Sequence, residues 1–147
     1  MTAKEYLEQI GKLEYKIQRM KERSRYYEQM SYSVPGQDFT RERIQGTPNL
    51  EAPFVKWLMK KDEIDREIER LENTLEALKE EILNQIELWD NEDYKNVIMF
   101  RYLKHWSWAR VAKASYCSIA TVYRWHDAAL ELIDVPTKKM IVDDSQR

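Results

Sequence analysis

Apolar residues recur at helical spacing along two long stretches of this chain. In the first, from about Thr2 to Met30, Tyr6, Ile10, Leu13, Ile17, Met20, Ser24 and Tyr27 follow alternating steps of four and three. That period is a helical seam, with Ser24 as its polar member. Lys4, Glu5, Glu8, Lys12, Glu14, Lys16, Arg19, Lys21 and Glu22 lie between the seam positions and predict a solvated face. So narrow a seam suits a coiled coil better than a deep core. The second stretch runs from about Phe54 to Trp89. There Ile64, Ile68, Leu71, Leu75, Leu78, Ile82, Ile86 and Trp89 step by 4, 3, 4, 3, 4, 4 and 3. The extra residue near Ile82 predicts a small register slip. Together the two stripes predict an antiparallel helical hairpin in which each buries the other, and the same surface also suits dimerisation.

Between these stretches the pattern breaks. Residues 31–53 hold Val34-Pro35-Gly36 and Gly46-Thr47-Pro48-Asn49, both strong turn signals. They predict a long loop with a short helical piece at Thr40–Ile44. The next break is Asp90-Asn91-Glu92-Asp93, where Asp90 or Asn91 caps a new helix and acids in its first turn suit the helix dipole.

A third pattern follows. Tyr94–Leu103 reads as one helix, with Val97, Ile98, Phe100 and Leu103 apolar. Ser107 is an N-cap for a second helix, Trp108 to about Ala114, and Ser115-Tyr116-Cys117 form a turn. Ser118 caps a third helix, Ile119 to about Ile133, whose Ile119, Val122, Trp125, Ala129 and Ile133 are predicted to pack on Val111, Ala112 and Phe100. The opposite face presents Ser118, Ala120, Thr121, Tyr123 and Arg124. Tyrosine at positive φ is strained, so the turn is expected to differ by a residue from one with Leu-Gly. The expected organisation is all-α: a helical hairpin, coiled-coil-like, over 1–90 with its loop at 31–53, a helix-turn-helix module over 91–134, and a flexible tail over 135–147.

Charge changes this picture. The chain has a net charge of −2, yet Tyr94 to His126 contains no acid and carries Lys95, Arg101, Lys104, Arg110, Lys113 and Arg124, a charge of +6. The remainder therefore sums to −8. From Lys61 to Asp93 thirteen acids face four bases. A basic module on an acidic scaffold suggests nucleic-acid binding. A helix fits the major groove, and its first turns approach base edges. Arg124 suits guanine, Thr121 and Tyr123 suit bases or phosphates, and Ser107 at a helix start suits a phosphate. Lys104, Arg110 and Lys113 add electrostatic contacts. The candidate DNA-binding residues are thus Lys104, Ser107, Arg110, Lys113, Ser118, Ala120, Thr121, Tyr123 and Arg124. The plainer reading of the third helix is a packed member of a three-helix bundle. Trp108 and Trp125 read as core rather than as stacking platforms, with Trp106 partly exposed.

The segment "VIMFRYL…WSWARVAKASYCSIATVYRWHDAALELI" resembles the C-terminal helix-turn-helix of sigma factors, region four. It resembles more closely the phage late transcription regulators of the RinA and ArpU type. The likeness rests on Arg101-Tyr102, Trp108, Val111-Ala112, Ser118 and Thr121-Val122-Tyr123-Arg124-Trp125. Gln45-Gly46-Thr47-Pro48, ahead of a long heptad helix, is also similar to small phage proteins of this group. The likeness covers about 40 residues. Region four usually has Glu where this chain has Arg110. The resemblance implies a sequence-specific regulator that binds double-stranded promoter or operator DNA in a bacterial host cell. It makes a phage or prophage late-gene activator the leading expectation, with host RNA polymerase and a second copy of the chain as further partners.

Other functions find less support. Cys117 is the only cysteine, which excludes an internal disulfide and any multi-cysteine metal site. His105 and His126 lack a third ligand at sensible spacing. No Ser/His/Asp order, glycine-rich loop or HExxH pattern occurs, so neither an enzyme nor a cofactor is expected. No apolar run approaches the ~20 residues that span a bilayer, and the amphipathic start lacks a signal peptide's apolar core, which predicts a cytoplasmic protein without membrane contact. Two alternatives stay open: a small-terminase-like DNA-packaging subunit, and a helical interaction module without DNA binding.

Overall fold

The computed structural model describes residues 1–32 and 53–136. Among them the chain is all-α, with no strand. The helices are α1 (Ala3–Tyr32), α2 (Pro53–Ile86), α3 (Glu92–Ile98, continuing as a π-helical turn over Met99–Leu103), α4 (Trp108–Ala114) and α5 (Ile119–Leu132). The expected helical piece at Thr40–Ile44 and nearly all of the expected tail lie outside the described residues. Ser31, Tyr32 and Pro53, assigned to the loop from sequence, are helical. Proline tolerates the first helical position because its missing N–H has no partner there.

The described chain divides into two compact units, and these cut across the expected boundary at residue 90. One unit is Met1–Tyr15 with Asn73–Arg147, and the other is Lys16–Glu72.

In the first unit α1 buries far more than a seam. Tyr6, Leu7, Gln9, Ile10 and Leu13 are all inaccessible to solvent. Leu7 and Gln9 lie off the predicted stripe, and Glu8 and Glu14, expected in solvent, are half-buried. The remaining core comes from Leu78, Ile82 and Ile86 of α2 and from Val97, Ile98, Tyr102, Val111, Ala112, Val122, Ala129 and Ile133. Buried polar groups find partners: the Tyr6 hydroxyl donates to Glu81 at 2.6 Å. Burial, then that carboxylate, push the Tyr6 phenol well above its ordinary range. Gln85 clamps the end of α5 twice, accepting from the Asp134 N–H and donating to its carbonyl, both at 2.9 Å. Trp89 lies beyond the end of α2 rather than continuing its stripe.

The second unit keeps a narrow seam. On α1 Ile17, Ser24 and Ser31 are buried, seven residues apart, opposite Ile64, Ile68 and Leu71 of α2. Met20 and Tyr27, also predicted seam members, are only half-buried. Ser24 donates to Asp65 at 2.6 Å, and Lys61 donates to both Asp65 (2.7 Å) and Ser24 (3.1 Å). Lys21 meets Glu72 at 3.3 Å. Partners descend along α2 as they ascend along α1, the order of an antiparallel pair. Tyr26, Tyr27 and Trp57 form an aromatic cluster with Lys60 over the Trp57 ring at 5.1 Å.

Candidate nucleic-acid interface

The basic window begins at a cap. The Asn91 side chain accepts from the Asp93 and Tyr94 N–H groups, and the helix starts at Glu92, two residues before the predicted Tyr94. At Met99 the helix widens, and the Lys104 N–H reaches the Met99 carbonyl five residues back. The Trp106 N–H reaches further, to the Phe100 carbonyl, around His105 at φ 58°. His105 is anchored there by the Glu14 carboxylate, which also holds Lys79 at 3.0 Å.

This wide turn orders an aromatic and cationic stack. Phe100 and Trp106 lie face to face, with centroids 4.5 Å apart and 18° between planes. Phe100 covers one face of the indole, so the Arg110 guanidinium, 4.1 Å from the Trp106 centroid, occupies the other. Lys104 stands 5.0 Å from the same ring. Arg101 donates to the Trp106 carbonyl at 3.0 Å and lies 4.5 Å over the Trp108 ring. Trp108 meets Tyr123 of α5 edge to face at 5.2 Å. Cations on aromatic faces are held in place yet keep hydrogen-bonding edges for a ligand.

The turn between α4 and α5 adopts the strained form that sequence reasoning expected the chain to avoid. Tyr116 takes φ 56° and is 96 % exposed. The Cys117 N–H bonds the Ala112 carbonyl at 3.1 Å, and the Tyr116 N–H bonds that of Lys113 at 3.3 Å. This is a Schellman closure with tyrosine where glycine is usual. The turn is not shifted, because the closure satisfies carbonyls that the end of α4 would leave unpaired.

The two serine caps form as the spacing predicts. Ser107 accepts from the Arg110 N–H at 3.2 Å, and Ser118 accepts from the Thr121 N–H at 3.2 Å. Ser118 and Thr121 hydroxyls lie 3.0 Å apart, and Arg124 donates to Thr121 Oγ1 at 3.1 Å. Thus Ser118, Thr121 and Arg124 form one chain of hydrogen bonds. Lys104 and Arg110 meet on Trp106, and Tyr123 joins through Trp108. Ser107, Lys113, Ala120 and Tyr123 are exposed, Ala120 offering a methyl group. Arg101, Trp106 and Trp108 were missed as site residues; the readable signal was two tryptophans interleaved with bases at 101, 104 and 110.

The inner face of α5 differs from its predicted stripe. Val122 and Ala129 are fully buried, but Ile119 is 41 % exposed and Trp125 only half-buried. The helix ends at Leu132, with Ile133 as its cap. His126, outside the stripe, is buried and faces the Tyr102 hydroxyl at 2.6 Å, with Trp108 edge-on at 4.8 Å. Burial lowers the His126 pKa and pushes the Tyr102 phenol up to about 12, so both are neutral near pH 7. Asp127 stands 3.8 Å from His126 Nδ1, which favours a proton there and leaves Nε2 to accept from Tyr102.

Among the described residues no group of three His, Cys, Asp or Glu is placed to hold a metal ion, and no helix is long and apolar enough to cross a membrane. No family model, curated protein or solved structure matches the chain.

Proposed function

We propose that this chain is a sequence-specific DNA-binding regulator of transcription, with α5 entering the major groove of double-stranded promoter DNA. One observation carries this reading. The capped start of α5 presents Ser118, Ala120, Tyr123 and Arg124 to solvent, with Thr121 half-buried among them, in a 33-residue window without a carboxylate. Stacked Arg110 and Lys104 supply phosphate contacts beside it. The likeness to phage regulators of the RinA and ArpU type makes late-gene activation in a bacterial cytoplasm the biological setting of this proposal. Host RNA polymerase and a second copy of the chain are the partners it assigns to the acidic helical scaffold. The reading involves no enzymatic step and no cofactor.

Two measurements test it. Duplex binding titrated against salt should give a log–log slope of roughly −4 to −5 if about five bases meet phosphates. Selection from random duplex DNA should enrich a defined motif that Arg124→Ala relaxes. A protein with no salt-sensitive affinity for duplex DNA refutes the reading, and the interaction-module alternative then stands in its place.

A further inference from the structure

Resting on that DNA-binding reading, we infer that Thr121 is not itself a base reader but the residue that positions Arg124, and that the Ser118–Thr121–Arg124 chain selects guanine at one position of the site.

The argument is a count of donors and acceptors. A guanidinium only donates, so in the 3.1 Å contact Thr121 Oγ1 must accept from Arg124. A backbone N–H only donates, so Ser118 Oγ must accept from Thr121. The remaining hydroxyl–hydroxyl bond of 3.0 Å runs in either direction. Both directions have the same result: each uses one O–H inside the chain and leaves one O–H and one lone pair over. Arg124 has spent one of its five N–H groups on Thr121. The outward surface therefore offers up to five donors against a single lone pair.

Such a surface suits a ligand edge made of acceptors. Guanine presents N7 and O6 side by side in the major groove, whereas adenine presents N7 beside a donor amino group. Phosphate oxygens are also acceptors only, so the same donors suit the backbone. Position favours the base. The three residues occupy the N-cap and the first turns of α5, the part of a recognition helix that approaches base edges. Tethering also matters. Arg124 is exposed, and its bond to Thr121 fixes a side chain that would otherwise sample many rotamers, so less freedom is lost on docking.

The test compares wild type, Thr121→Val, Thr121→Ser and Arg124→Ala on the motif obtained by selection. Each guanine of the motif is replaced in turn by adenine and by 7-deazaguanine, which lacks the N7 acceptor. For wild type, one guanine should be favoured over adenine by roughly 5- to 150-fold, with a clear loss on 7-deaza substitution. Thr121→Val should cut that preference several-fold, a larger factor than any loss of affinity for random duplex. Thr121→Ser restores the acceptor and should restore the preference. Arg124→Ala should abolish it. An unaltered preference in Thr121→Val overturns the positioning role. Indifference to every 7-deaza replacement, with a shallower salt slope in Arg124→Ala, would place Arg124 on a phosphate and overturn guanine selection while sparing DNA binding. Absence of any duplex binding by wild type overturns both readings.

Discussion

The two halves of α1 carry the same kind of apolar stripe and have different fates. Before Tyr15 five consecutive-turn positions are buried from solvent, including Gln9, whereas after Lys16 only Ile17, Ser24 and Ser31 are, one per heptad. Nothing in the 4-3 spacing distinguishes them. The difference lies in the neighbours: among the described residues, the first unit contains α3, α4 and α5 as well as part of α2, and the second contains two helical segments. Two helices can shield only a seam, while several can enclose most of a helix circumference. A heptad pattern therefore fixes which face is buried, but not how broad that face is.

The strongest challenge to this contrast is hydrogen exchange. Backbone amides of α1 before Tyr15 should exchange about 10- to 100-fold more slowly than those after Lys21, since protection follows the local density of buried contacts. Equal protection along the helix would show that the two units open together. Core truncation comes next. Ile82, fully buried, should lose about 3–5 kcal/mol as Ile82→Ala in urea unfolding, and the less enclosed Ile68 should fall nearer 2 kcal/mol.

Smaller effects sharpen the comparison at single bonds. Ser24 is the buried polar member of the narrow seam, joined to Asp65 and Lys61. Ser24→Ala should cost on the order of 1 kcal/mol, because Asp65 and Lys61 keep each other and remain partly open to water. In the first unit Tyr116→Gly should stabilise by about 1 kcal/mol and raise the melting temperature by a few degrees. The ring is almost fully exposed, and glycine removes the penalty at φ 56°. An unchanged melting temperature would mean that the side chain makes up for its strain in some other way.

The last prediction concerns pH. Burial holds the His126 pKa below that of the unfolded chain. Between the unfolded value, ~6.5, and the lower folded one, the unfolded state binds more protons, so stability falls as pH falls. Above ~6.5 both states are neutral at this site and the contribution is flat. His126→Gln, which can still accept from Tyr102, should lose that part of the acid sensitivity. A wild-type and variant difference that stays constant between pH 7 and pH 5 would rule out His126 as its source.

The sequence by itself determined the all-α class, the caps at Ser107 and Ser118, a cap at Asp90 or Asn91, and the exposure of Ser118, Ala120, Tyr123 and Arg124 at the start of α5. These depend on residues within one or two turns of each other, so local hydrogen bonding and helical period are enough to predict them. Only the tertiary structure decided that Leu7, Gln9 and His126 are interior, that Ile119 is not, and that α1 belongs partly to the unit containing α4 and α5. It also decided that Lys104 and Arg110 share the Trp106 ring. Each of these depends on which surface another helix brings, and that information is spread across residues far apart in the chain. Tyr116 shows the two levels in conflict. Its local preference opposes φ 56°, and the closure of α4 onto the turn before α5 outweighs it, because unpaired helix-end carbonyls cost more than a single strained residue.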